Sequence, residues 1–163
     1  MKFKTALIRE MEQTFGDDTK RINHARSVLN YAEQILEKEG GDREVVEAAA
    51  ILHDIGIHEA EKKYGSTAGK YQEIEGPPIA EKILNSIGFP EDKLKEVLEI
   101  IAHHHSPGKI STQNFKILYD ADWLENIKDE VGVEDKDKLS RVIEKVFLTA
   151  NGKELAKKIY LTS

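Results

Sequence analysis

His53 and Asp54 stand side by side at the end of the apolar run Ala48-Ala49-Ala50-Ile51-Leu52 and are followed by Ile55-Gly56. An imidazole and a carboxylate are both ligands for divalent metal ions, and a carboxylate carried on an apolar helix is costly to desolvate without a cation beside it. The chain holds further ligands of the same kind: His24 in Arg21-Ile22-Asn23-His24, the triplet His103-His104-His105, and the carboxylates of Tyr119-Asp120-Ala121-Asp122. Imidazoles and carboxylates from four separate segments make a nitrogen and oxygen site suited to Mn, Fe, Co, Ni, Zn or Mg, for one ion or for two that share Asp54. Such a site activates water and stabilises charge on a phosphoryl oxygen.

Each member is ambiguous alone. His24, beside the apolar stripe of its segment, reads singly more often as a core-edge histidine bonded to a backbone carbonyl than as a ligand. Successive helical residues point about 100° apart, so at most two of His103, His104 and His105 face one site. Asp120 and Asp122 both lie among apolar residues, and one of them is expected to point inward. Other patterns carry less: His58-Glu59-Ala60-Glu61-Lys62 lacks the second histidine of a zinc-protease helix, and Gly65, Gly69 and Gly76 form no phosphate-binding loop.

The elements that must position these residues are helices. Phe3, Leu7, Ile8, Met11 and Phe15 recur at helical spacing, and Gly16 closes that segment before Asp17-Asp18-Thr19 offers a new cap. Ile22, Ala25, Leu29, Ala32 and Leu36 form the stripe of a longer helix that stops at Gly40-Gly41. Asp42 caps a third, apolar from Val45 to Leu52, whose last turn delivers His53 and Asp54, with Gly56 as its stop. Tyr64 to Lys70 reads as loop. Pro77-Pro78 suits a helix start, with Gly88 at its end, and the next helix runs from Pro90 to the histidines, where Ser106-Pro107-Gly108 breaks it. Ser111 or Thr112 caps the helix bearing Asp120 and Asp122, and Leu139 to Phe147 and Leu155 to Ile159 give two packing helices. With no strand-period alternation of useful length, the chain is expected to be all-α, a single domain of about seven or eight helices over 1–163.

Composition narrows the function classes. The chain has 163 residues, ample for one buried core, and 24 basic against 30 acidic residues give a net charge of −6. That balance disfavours binding to extended nucleic acid, and a small anionic substrate would need local help from a metal ion or a few lysines. No cysteine is present, so disulfides and thiolate metal sites are excluded. No apolar run suggests a signal peptide or a membrane span, which makes the cytoplasm the default location.

In that order along the chain, His24, His53-Asp54-Ile55-Gly56, His103-His104 after Ile100-Ile101, and Asp122 in Asp120-Ala121-Asp122-Trp123-Leu124-Glu125 resemble the HD-domain superfamily of metal-dependent phosphohydrolases. The resemblance spans about residues 19–126. It leaves the N-terminal helix over 1–16 and the C-terminal helices over about 135–161 to pack on that core. It implies an all-α core in which His24, His53, Asp54 and Asp122 hold a divalent metal, with Asp120 the fallback for Asp122, and His103 and His104 as additional ligands. It also implies hydrolysis of a small phosphate ester, often a nucleotide. Where binuclear members carry another histidine this chain has Gln72, with Glu73 and Glu75 nearby as substitutes. The signatures of cyclic-dinucleotide phosphodiesterases are missing, since Ile57 follows Gly56 and no Gly-Tyr-Pro follows the histidines.

The reading is therefore a phosphohydrolase in which Asp54 is both ligand and water-orienting base. Lys62, Lys63 or Lys70 is expected to neutralise the phosphate, and His104 or His58 to protonate the leaving oxygen. The expected partner is a small phosphorylated substrate, without membrane or extended nucleic acid, and a homodimer is compatible. The alternatives are a non-catalytic metal or nucleotide sensor on the same scaffold and oxygenation at a di-iron centre.

Overall fold

The computed structural model describes residues 3–162, and among these all regular structure is helical. Residues 1, 2 and 163 lie outside the described residues, so the expected helix over 1–16 is seen from its fourth residue. The order is α1 (Lys4–Phe15), α2 (Thr19–Glu39), α3 (Arg43–Leu52), α4 (Ile57–Tyr64), α5 (Gly69–Ser86), α6 (Glu91–His103), α7 (Gln113–Glu130), α8 (Lys136–Val146) and α9 (Ala150–Tyr160).

Local chemistry explains the boundaries. Asp18 accepts from the Arg21 amide at the head of α2, Asp42 accepts from the Glu44 and Val45 amides at the head of α3, and Thr112 accepts from the Phe115 amide at the head of α7. Each cap satisfies donors that the first helical turn leaves unpaired. Gly40 ends α2 at φ 75°, a left-handed conformation that glycine adopts without strain.

The sheath forms around α3. Every residue from Val45 to Leu52 is buried, and α3 packs against α1, α2, α6 and α7. Its three consecutive alanines let neighbouring helices come close, and α2 packs along α7 on the other side. The pairs α4·α5 and α5·α6 complete the core, while α8 and α9 pack on each other and α9 on α2 and α7.

Two differences from expectation are physical. Among the described residues the helices number nine, because residues 57–64 form α4; its eight residues are too few and too charged to show a clear stripe, and only Ile57 and Ala60 are buried in it. Helix α5 begins at Gly69 rather than at Pro77 and runs through Pro77 and Pro78. Those prolines remove amide donors toward the Glu73 and Ile74 carbonyls, a loss tolerated because Ile74 and Pro78 lie on the exposed outer face. The early start carries Gln72 and Glu73 toward the end of α6.

Candidate metal centre

Two candidate ligands come from the same local device. His53 is the residue that closes α3 and His104 the residue that closes α6. Each ring donates from Nδ1 to the carbonyl three residues earlier, His53 to Ala50 at 2.8 Å and His104 to Ile101 at 2.6 Å. With Nδ1 so engaged, the tautomer leaves the Nε2 lone pair of each ring facing the space between the helices.

His24 from α2 and Asp122 from α7 face the same space. His24 Nε2 lies 3.2 Å from His53 Nε2, 3.1 Å from Asp122 Oδ1 and 3.3 Å from Asp54 Oδ2. His53 Nε2 lies 3.3 Å from Asp122 Oδ1 and 3.4 Å from Asp54 Oδ2. The Asn126 side-chain amide, one turn beyond Asp122, donates to Asp122 Oδ1 at 3.0 Å and orients it. The other oxygen of Asp54, Oδ1, is 3.4 Å from His104 Nε2, so this carboxylate faces two histidine groups at once.

The electrostatics are those of a cation site. Burial opposes ionisation of Asp54 and Asp122, but the neighbouring imidazoles overcome it and hold both carboxyls well below the usual range. Burial also opposes charge on His53, yet Asp54 and Asp122 keep its pKa up at about 9. The four groups thus gather a cation among themselves, and a metal ion would take the place of the His53 proton.

The donor set fits a divalent metal. His24, His53 and Asp122 offer ligand atoms that lie together within 4.8 Å, as do Asp54, His104 and His105. The buried His104 Nε2 has no hydrogen-bond partner, an orphaned lone pair that a cation would satisfy.

The two aspartates of α7 have separate tasks. Asp120 is fully buried on the far side of the helix, where it accepts from the Leu148 amide at 2.8 Å and from the Thr149 amide and hydroxyl at 2.8 and 2.7 Å. It anchors the head of α9, and a Cβ on Gly152 would meet its Oδ2 at 2.3 Å. Asp122, 200° further round the helix, is the one at the centre.

Not every expected residue arrives there. His103 ends α6 outside both ligand groups, because the helix stops and the backbone turns, bringing His104 and His105 inward instead. His58 is held by Asp18 at 2.8 Å and packs edge-on against Phe15, and neither it nor Lys62 lines the cleft. Lys63 and the Tyr64 hydroxyl both bond Glu75, at 2.9 and 2.8 Å, which keeps Glu75 away from the metal ligands. Lys70 lies over the Tyr71 ring. Glu73 accepts from the His105 amide and the Ser106 hydroxyl, both at 2.9 Å, and so caps the turn after α6.

A cleft of about 500 Å³ opens over His24, Asp54 and Asp122. Lys20, Arg21 and Asn23 line one lip, and Glu125, Asn126, Asp129 and Glu130 the other. Beside it, Tyr119 and Trp123 help to enclose a smaller space of about 190 Å³. Lys20 and Arg21, the cations that line the cleft, stand four and three residues before His24 on α2 and so lie near it on the helix surface.

The sequence matches the HD domain over residues 21–127, and the chain belongs to the HD-domain family, a superfamily of metal-dependent hydrolases. Its structure is similar to the crystal structure of a predicted HD superfamily hydrolase from an uncultured Thermotogales bacterium, with a TM-score of 0.70 and 26% sequence identity over 95% of this chain and 83% of that one. No curated protein matches the sequence.

Proposed function

We propose that this chain is a phosphohydrolase that cleaves a small phosphate ester, a nucleotide or related phosphomonoester or phosphodiester, with metal-activated water. The observation that carries the reading is the convergence of His24, His53, Asp54 and Asp122 at an open cleft that Lys20 and Arg21 also line. When bound there, a divalent cation supplies an acidified water and polarises a phosphoryl oxygen.

The residues of the chain do the rest. Lys20 and Arg21 receive the phosphate, which the overall charge of −6 would otherwise repel. Asp54, ionised at neutral pH and facing both histidine groups, orients the attacking water and takes its proton. Asn23 and Asn126 offer hydrogen bonds to the remainder of the substrate, and the Tyr119 and Trp123 rings an apolar wall. Glu125, Asp129 and Glu130 oppose any long polyanion, which supports a compact substrate over extended nucleic acid.

The test is phosphate release from a panel of nucleotides and simple phosphomonoesters with Mn, Co, Ni, Mg and Fe in turn. Turnover should require metal and vanish in Asp54→Ala. In Arg21→Ala it should persist with KM raised roughly tenfold, the size of a lost charged hydrogen bond. Folded protein that releases no phosphate with any metal overturns the reading.

A further inference from the structure

Tyr119, Trp123, Asn126 and Glu130 follow one another along α7 in steps of four, three and four, so they fall within about 60° of arc on one face of the helix. All four line the space of about 190 Å³ beside the candidate metal centre, together with the buried Asp122 and His104. His104, whose buried Nε2 has no hydrogen-bond partner, marks that space as shaped for a ligand rather than packed shut.

The stripe offers acceptors. The faces of the Tyr119 and Trp123 rings carry the negative part of their quadrupoles. The Asn126 side-chain amide gives a hydrogen to Asp122 Oδ1 at 3.0 Å, which leaves its oxygen to accept. Glu130 adds an exposed carboxylate. A group that is all donor and positively charged suits such a lining: an ammonium bonds the carboxylate and amide oxygens and lies against an indole face.

The wider cleft carries the same message in its charges. Lys20 and Arg21 line it with Glu125, Asp129 and Glu130, yet among the described residues no ion pair joins the two sets. Arg21 pairs with Asp18 at 3.9 Å and Glu125 with Lys128 at 3.5 Å. Opposite charges that share a cleft and leave each other unpaired are bridged by a ligand that carries both signs. A neutral base would use the rings and leave the carboxylates of Asp129 and Glu130 uncompensated.

We propose that the substrate is the phosphate ester of an amino alcohol, with its phosphate toward Lys20 and Arg21 and its ammonium held by Trp123, Asn126 and Glu130. The inference rests on the proposed function and narrows its substrate class. Glu130 and Trp123 are then the residues that set specificity.

Trp123 is the sole tryptophan of the chain, so its fluorescence reports on this space without turnover. Full-length chain in excess Mg²⁺ is titrated with 3-aminopropylphosphonate and with propylphosphonate, whose P–C bonds resist attack by water. The amino probe should bind about tenfold more tightly, the size of one charged hydrogen bond. Glu130→Gln should bring the two affinities together, while Arg21→Ala weakens both alike. In hydrolysis, kcat/KM for 3-aminopropyl phosphate should exceed that for propyl phosphate by about tenfold, carried in KM, and the ratio should fall toward one in Trp123→Leu and in Glu130→Gln. Glu130 is exposed, so its variant should melt as wild type does. Equal affinities in wild type, a preference that Glu130→Gln keeps, or no response to either phosphonate overturns the inference and leaves the proposed function to its own panel. Thymidine monophosphate bound more tightly than the amino probe, and equally well by Glu130→Gln, assigns the rings to a base and also overturns it. Selective binding of the amino probe with no phosphate released from any ester keeps the ammonium position and removes the proposed function alone.

Discussion

At the scale of single residues, a second buried acid shows how the protein treats charge away from its site. Glu47, on the helix that ends at His53, is buried beside Glu33, which itself pairs with Lys4 at 2.7 Å. Burial, and then the neighbouring Glu33, push the Glu47 carboxyl up to about 7, while Glu33 stays ionised and accepts a hydrogen bond from the protonated Glu47. The folded pKa exceeds the value of 4.5 for a free glutamate, so folding is coupled to proton uptake. The resulting stability is fully present below about pH 4.5 and falls away as pH rises through about 7. Glu47→Gln, which fixes the neutral form, should therefore be more stable than wild type at pH 8 and show no such gain at pH 5 in urea unfolding. An equal effect at both pH values would show that the pair does not share a proton. At this scale much of the site was legible: carboxylates among apolar residues, as at Asp54 and Asp122, call for a cation beside them, and His24 and His53 are residue types that serve as ligands with them. The places of Lys20 and Arg21 on the cleft were not, because they depend on which helix end faces which, and the turn after α6 brings His105 to Asp54 and His104 where the resemblance implied His103.

At the scale of elements, the decisive contact is between two glycines. A Cβ on Gly56 would lie 2.5 Å from the Gly76 amide nitrogen and 2.8 Å from its Cα, and one on Gly76 would lie 2.9 Å from Ile101 Cγ2. The turn bearing His53 and Asp54 thus sits against the backbone of α5, which sits against α6. Gly56→Ala should push α4 and α5 apart and destabilise the chain by about 1–3 kcal/mol, the usual cost of overpacking. Metal affinity should fall with it, since Asp54 is two residues away; a calorimetric titration and a thermal melt check both, and an unchanged melting temperature would contradict the close approach. The caps at Asp18, Asp42 and Thr112 and the stripe of α2 could be read from local chemistry, and they hold in the structure. The course of α5 through Pro77 and Pro78 could not, because local rules place a start there while packing on α4 and α6 favours continuing the helix.

At the scale of the whole molecule, helices distant in sequence meet where two ionised carboxylates, the buried Asp122 and the half-buried Asp54, lie close together. A protonated His53 balances part of that charge in the absence of a metal, so metal should stabilise the entire fold rather than one loop. At a free concentration a hundred times the dissociation constant, the gain is about 2.7 kcal/mol, or roughly 5–10 °C in Tm for a chain of this size. A melt of chelator-treated protein against metal-loaded protein measures it, and coincident curves would refute the coupling. No described helix is long and apolar enough to cross a membrane.

The carbonyl latch on His53 and His104 gives the molecule a particular kind of freedom. Both rings take their bearing from the pitch of their own helices, so no neighbouring side chain is needed to aim them. The walls of the cleft can then be recut for another substrate, lip by lip, while the floor keeps its chemistry.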